Sequence, residues 1–434
     1  SADGLILTNH HCAEDCIAQN SSEGNDLVGN GFLAGTREKE LRCEEDSISV
    51  LVGTEDVTAK VAAALAGVAP EGVVEARRAA LTKLEQACEE ASKGAKGGPL
   101  KCERVSLYQG GQHWLYKYRR YEDVRLVFAP ERDIAAFGGD PDNFQFPRWC
   151  LDMSILRAYE GGKPAKTPTH LRFDWDGVQP GDAVFISGHP GNTDRLLTAA
   201  QLEVQRDTFM PFWLMRFSEL RGRMIQYSKT YLNSVENSIK VRRKQFDALL
   251  DPALIENARE KEQALASAAD SYAQIAKAQD AWRNILVPYT FIESGAAFNS
   301  QLFIHARTLV RAAAEREKPN ETRLPEFTEA RLPAVVQGLK ADAPIYPELE
   351  ILRLSFGLER MREWLGPDHP VVRQVFGTDS PDSLAERLVR QSGLGDSTAR
   401  MTLFEGGQAA IAASEDPMIR LAAAVDPAAR ALRS

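Results

Sequence analysis

The sequence predicts a β-rich first part joined to an all-α second part, and three observations carry that division. Up to about residue 200, short apolar runs alternate with turn-forming Gly, Pro, Asn and Asp. From residue 201 onward the apolar residues recur at helical spacing instead. All six cysteines lie before residue 151. We expect a β domain over residues 1–200, carrying a helical insertion near 57–93, and an α-helical domain over residues 201–434. A chain of 434 residues exceeds one typical core, which agrees with more than one domain.

The first element is the apolar run Leu5-Ile6-Leu7, which ends abruptly at Thr8-Asn9-His10-His11-Cys12. It reads as a buried strand stopping at a polar corner within a strand-turn-strand. Further short strands fill the region to residue 54, with Gly29-Asn30-Gly31 as a turn and Ile48-Ser49-Val50-Leu51-Val52 as a strand. Residues 57–93 change character, and stretches such as Val74-Glu75-Ala76-Arg77-Arg78-Ala79-Ala80-Leu81 predict helix. Strand character returns at Arg104–Tyr108. From Trp114 to Phe128 apolar and charged residues alternate with period two, the mark of half-buried antiparallel strands, until Pro130. Met153–Tyr159 and Ala183–Ser187 are the last expected strands.

Beyond residue 200, Leu232, Val235, Ile239, Phe246 and Leu249 share one helical stripe. Asp251-Pro252 is expected to break that helix. A second helix resumes through Trp282 and Ile285, and Pro288 is expected to break it in turn. Further helices are expected at 297–317, 347–365 and 382–392, the last started by Ser380-Pro381-Asp382.

Net charge is −9, which argues against nucleic acid as the main partner, since phosphate binding wants a basic face. No apolar run approaches the length of a membrane-spanning helix. The chain starts without Met or a signal peptide and reads as a fragment of a longer protein. Six cysteines (Cys12, Cys16, Cys43, Cys88, Cys102 and Cys150) fit up to three disulfides of an exported protein. Unpaired cytosolic thiols are the alternative, and connectivity stays open.

Histidine is the usual general base near neutral pH, because its ordinary pKa lies near 6.5. Of the pair, His11 beside Cys12 is the candidate base rather than His10. A metal half-site with Cys16 is the competing reading, although no second His/Cys cluster at ligand spacing follows. A second candidate is Asp152, directly ahead of the strand-like Met153-Ser154-Ile155-Leu156. A carboxylate there can fix an imidazole tautomer and stabilise the imidazolium. It follows the turn-rich loop Gly138-Gly139-Asp140-Pro141-Asp142-Asn143-Phe144, whose Asp140 and Asp142 are alternatively cation ligands. Gly188-His189-Pro190-Gly191-Asn192 lacks the Gly-Lys-Ser/Thr ending of a phosphate loop and reads as a plain turn.

Together Leu7–Cys12, Gly138–Asp152 and Gly188–Arg195 resemble the bacterial periplasmic dipeptidyl-peptidases of the 7 and 11 type. The resemblance implies a chymotrypsin-like double β-barrel, incomplete in this chain, with a large helical domain covering the active-site cleft. It implies a serine exopeptidase that releases dipeptides from a free N-terminus and needs no cofactor or metal. Carried over by position, His11 is the general base and Asp152 its orienting carboxylate. Asn143, Phe144 and Asn237 bind the substrate's α-amino group, through amide oxygens and an aromatic face. The resemblance also implies a periplasmic or secreted location, peptide substrates as partners and a homodimer.

Two departures stand out. The family has Trp where this chain has Phe144, a weaker cation face without an N–H donor. The Gly-Asn-Ser-Gly turn that carries the nucleophile is absent from the sequence. Gly395-Asp396-Ser397 is a partial echo followed by Thr398-Ala399, without the glycine an oxyanion hole wants. The nucleophilic serine is therefore expected beyond residue 434, and the isolated chain is expected to be inactive. A non-catalytic peptide-binding relative is the alternative. A metal-dependent hydrolase using His10, His11 and Asp140 or Asp142 is the further one.

Overall fold

A computed structural model of the chain describes residues 1–22, 24–44, 46–94, 98–136, 149–185, 197–225 and 229–433. Strand β1 (Leu5–Thr8) runs directly into helix α1 (His10–Gln19). The short α2 (Leu27–Asn30), β2 (Phe32–Leu33) and β3 (Leu41–Arg42) follow. The long β4 (Ile48–Asp56) then leads into α3 (Thr58–Leu65) and α4 (Val73–Ser92). These two helices fill most of residues 57–93, where the composition change predicted helix. Next come β5 (Lys101–Leu107), β6 (Gln112–Tyr121), β7 (Asp123–Ala129), the one-turn α5 (Arg132–Ala135), β8 (Ser154–Glu160) and β9 (Lys163–Pro164). The alternating stretch from Trp114 to Phe128 is thus two strands, divided at Glu122.

Among the described residues the strands make two open antiparallel sheets. One has the order β1-β8-β7-β2, with β3 also on β7 and β9 on β8; the other is β4-β6-β5. Gly4 enters β1 with φ +72°, and a Cβ there would lie 2.7 Å from the Ala158 carbonyl oxygen, so only glycine lets β1 approach β8. α1 packs on the first sheet through Ala13, Cys16 and Ile17, against Val124, Leu126 and Leu156.

The helical part begins with α6 (Ala199–Val204) and continues through α7 (Met210–Met224), α8 (Lys229–Leu249), α9 (Pro252–Ala264) and α10 (Ala269–Pro288). Then come α11 (Gln301–Arg316), α12 (Leu332–Lys340), α13 (Pro347–Leu365), α14 (Pro370–Phe376), α15 (Pro381–Gln391), α16 (Ser397–Ala413) and α17 (Pro417–Ala431). Its core gathers Phe291, Phe298, Phe303, Leu309, Leu354 and Met361. Inside it Arg311 is clamped by Glu293 and Asp426, each at 2.6 Å, so its buried charge is compensated. Arg400, almost fully buried, donates to the carbonyls of Leu339 and Leu394 at 2.8 Å and to that of Ala341. Gln337 of α12 ties the two parts together: its side-chain oxygen accepts from Arg120 at 2.9 Å, and its amide donates to the Glu44 carbonyl at 3.2 Å.

Three expectations change. The segment after β1 is a helix, not a turn and strand, because Ala13, Cys16 and Ile17 supply a buried stripe at helical spacing. Residues 183–185 carry no strand; Val184 and Phe185 are exposed, and the rest of Ala183–Ser187 lies outside the described residues. Pro288 does not stop its helix, since α10 passes into a wider turn at Tyr289–Glu293 that absorbs the missing N–H. Within the three disulfides that six cysteines allow, two form, Cys16–Cys43 and Cys88–Cys102, while Cys12 and Cys150 carry free thiols.

Candidate active site

Helical phase decides which of the two histidines faces outward. Neighbouring helix positions lie about 100° apart, so His10 and His11 cannot share a face. His10 joins the buried stripe of Ala13, Cys16 and Ile17, and only 4% of it is exposed. His11 points out, with 49% of its side chain accessible. The same phase separates the two imidazoles as ligands for one ion. Asp140 and Asp142, the other members of that metal reading, lie outside the described residues. Cys16 is no metal ligand, because its sulfur is bonded to Cys43.

The sheet brings base and acid together across 141 positions. β1 and β8 are antiparallel with Thr8 opposite Ser154. Asn9–His11 and Asp152–Met153 therefore leave the same end of one ladder. Asp152 Oδ2 lies 2.7 Å from His11 Nδ1. Its Oδ1 accepts the His11 backbone N–H at 3.1 Å. Asn9 Nδ2 donates to Asp152 Oδ2 and to the Asp152 carbonyl oxygen, both at 3.1 Å.

This arrangement gives Asp152 a second task. Asn9 is the N-cap residue of α1, yet its side chain makes no cap bond. The carboxylate of Asp152 satisfies the orphan His11 N–H in its place, at the positive end of the helix. The side chain of Asp152 is 18% exposed. An ionised carboxylate only accepts, so the proton of a neutral His11 sits on Nδ1 and the lone pair on Nε2. An imidazole with its lone pair on Nε2 is the form a general base needs.

Burial pushes the His10 imidazole below its ordinary value, more than the nearby Glu14 and Asp152 carboxylates pull it up. His10 Nε2 is buried without a hydrogen-bond partner. His10 is thus a neutral packing residue behind the pair.

Of the expected substrate-amine ligands, Asn237 is half-buried on α8, whose Val235 and Ile239 pack with Leu349 and Phe356 of α13. Asn143 and Phe144 lie outside the described residues, as does Gly188–Arg195. Ser397 is the first residue of α16, and Asp396 caps that helix through the Thr398 N–H at 2.7 Å. Gly395-Asp396-Ser397 is thus a helix start. Among the described residues one trio has metal-ligand spacing, Cys16, Cys43 and Asp46, and its two sulfurs form a disulfide. Sequence reasoning missed Asn9, although an amide directly ahead of the His pair was in view.

The described residues thus hold two sheets, a His–carboxylate pair at the end of a strand ladder and a large helical part. The chain belongs to the peptidase S46 family, whose model matches residues 1–434. It is 31% identical over 233 residues to an Asp/Glu-specific dipeptidyl-peptidase of Shewanella putrefaciens, a match covering 50% of this chain and 30% of that protein. It is 34% identical over 218 residues to dipeptidyl-peptidase 7 of Phocaeicola vulgatus, covering 47% and 30%. Its fold is similar to that of Porphyromonas endodontalis DPP11 in complex with the dipeptide Arg-Glu. The TM-score is 0.72 at 22% identity, over all of this chain and 66% of that one. These two matches span 30% of each curated relative's length, and the chain spans about two thirds of the solved one's.

Proposed function

We propose that the protein is a serine-type dipeptidyl-peptidase that releases dipeptides from the free N-terminus of peptides. The observation that carries this reading is the 2.7 Å contact between His11 Nδ1 and Asp152 Oδ2. In this reading a serine beyond residue 434 attacks the carbonyl of the second substrate residue. His11 Nε2 takes the serine proton and returns it to the leaving amine, and Asp152 stabilises the imidazolium between the two transfers. Asn237, with Asn143 and Phe144, holds the substrate's ammonium group, which counts the cut two residues in.

The two open sheets belong, in this reading, to a chymotrypsin-like double β-barrel over residues 1–200, and residues 201–434 form the domain that covers the cleft. Two disulfides support an extracytoplasmic location, periplasmic or secreted. Sedimentation of the intact protein tests the expected homodimer.

The test is an assay of the intact gene product on dipeptidyl chromogenic substrates, with His11→Ala as control. Dipeptide release that a serine-directed phosphonate abolishes and a chelator leaves alone supports the reading. Release lost to the chelator alone overturns it in favour of a metal hydrolase. No release from any peptide leaves a peptide-binding protein.

A further inference from the structure

Helix α8 turns one apolar stripe toward α7, and the stripe is interrupted. Val235 and Ile239 cluster with Leu220 and Met224 of α7, while Phe246 and Leu249 cluster with Met210 near its other end. The gap between Ile239 and Phe246 leaves one turn of the same face to fill. Arg242 fills it, three positions beyond Ile239 and four before Phe246. On α7, Trp213 and Arg216 lie between Met210 and Leu220. The middle of an otherwise apolar helix pair thus holds two guanidiniums and an indole. Trp213 and Phe217 stack with their ring centres 5.3 Å apart. The Arg216 guanidinium stands 5.3 Å from the Trp213 ring centre and that of Arg242 stands 5.2 Å from it.

What these three side chains lack is an acceptor. Arg216 is only 7% exposed, and its Nη2 reaches the Ala296 carbonyl at 3.4 Å. Arg216 Nε, Arg242 Nε and Trp213 Nε1 are buried without a hydrogen-bond partner among the described residues. Burial holds both guanidiniums below the ordinary arginine value, Arg216 down to about 10, and no acidic side chain acts on either. The charge that does act on Arg216 is another cation, Arg353. The buried Arg311, by contrast, has Glu293 and Asp426 against it. A ring face offsets only part of the cost of burying a cation, which calls for a counter-charge. Two positive charges and three orphaned N–H donors around one indole call for an anion. Phe209, 5.9 Å from Arg242, also lines a pocket of about 290 Å3 with Gln201 and Trp282, so solvent reaches the edge of this cluster. Packed between two helices, the site suits a single-atom ion, which accepts N–H donors from any direction. We propose that the α7–α8 contact binds a halide ion, held by the Nε–H groups of Arg216 and Arg242 and the indole N–H of Trp213. The bound ion couples α7 to α8, the helix that also carries Asn237.

The experiment follows thermal unfolding of the intact gene product at constant ionic strength, with chloride replacing a bulky sulfonate. We expect Tm to rise saturably, by about 5 °C once chloride exceeds its Kd about a hundredfold. Arg242→Met and Arg216→Met should each abolish that rise. Without chloride, Arg242→Met should melt no lower than the wild type, because it removes an uncompensated charge. Arg373→Ala, at an exposed ion pair with Asp368, should keep the full rise. A Tm indifferent to chloride, or a rise that survives in Arg242→Met, overturns the assignment. So does an equal loss of stability in that variant with and without chloride, which is what ring stacking alone would give. A rise with formate and none with chloride overturns the halide. If neither Met variant folds, wild-type crystals soaked in bromide decide: an anomalous peak among Trp213, Arg216 and Arg242 supports the site, and its absence rejects it.

Discussion

Replacing Asp152 by Asn removes one charge and keeps the shape, and the geometry around it sets the result. Asp152 accepts three hydrogen bonds, from His11 Nδ1 at 2.7 Å and from the His11 N–H and Asn9 Nδ2 at 3.1 Å each. An asparagine keeps one oxygen and turns an NH2 toward the other partners. If the oxygen stays on the His11 N–H, the NH2 meets His11 Nδ1 and opposes the Asn9 amide, donor to donor. His11 must then accept at Nδ1, which moves its proton to Nε2, the atom that has to act as base. The imidazolium also loses its counter-charge. By the precedent of such triads kcat should fall about ten-thousand-fold, which is about 5.5 kcal/mol at about 1.36 kcal/mol per tenfold. The assay is kcat and KM of the intact protein on a dipeptidyl substrate, with thermal unfolding to show that α1 still docks. In the 434-residue chain itself, the low-field NMR signal of the His11 Nδ1 proton should vanish. A loss under tenfold, or a surviving Nδ1 proton signal, refutes this account of the pair.

The same geometry sets three other outcomes. Asn9→Ala deletes an amide bond to the carboxylate worth about 1.5 kcal/mol, so kcat should drop about tenfold with KM unchanged; an equal rise in KM would show a binding role instead. Replacing Cys16 and Cys43 by Ser opens a link of sequence separation 27, a loss of about 3.5 kcal/mol by loop entropy, read as lost hydrogen-exchange protection in α1 and β3 ahead of the helical part. His305 is pushed down to about 4, chiefly by burial and then by Arg400, and His10 is lowered chiefly by burial. Below pH 6.5 the unfolded chain then binds more protons than the folded one. Stability is complete above pH 6.5 and falls as the pH drops toward 4; His305→Gln should flatten that slope in thermal scans from pH 7 to 4.

Elements with a strong period were the legible ones. The alternation from Trp114 to Phe128 became β6 and β7, and the expected helix 347–365 matches α13 (Pro347–Leu365). Ser380 caps α15 through the Ser383 N–H, as its start signal implied. Asp251 likewise caps α9 where a break was expected. Asp152 ahead of a strand could be picked because chemistry demands a carboxylate near the base. What could not be read was relational. Nothing local in Leu5–Thr8 says that it pairs with residues 154–157, and nothing in His10-His11 says which is buried until the helical phase of α1 is known. Cys12 and Cys150 look like the other four cysteines, and only the backbone geometry leaves their thiols free. Asn9 was overlooked because the segment reads as a strand-turn-strand, and its amide reaches a residue 143 positions away.

The ladder between β1 and β8 also sets an order of events. Among the described strands β1 pairs with β8, so the strand that leads into His11 waits for that partner until residue 157 exists. A ribosome adds about 5–20 residues per second, so the first strand waits roughly 7–30 seconds for its mate. Contacts of such long separation form late in any case, because the loop between them must close first. The base and its acid therefore meet only after most of the sheet has been made. A nascent chain carries His11 uncoupled from Asp152 until that pairing forms.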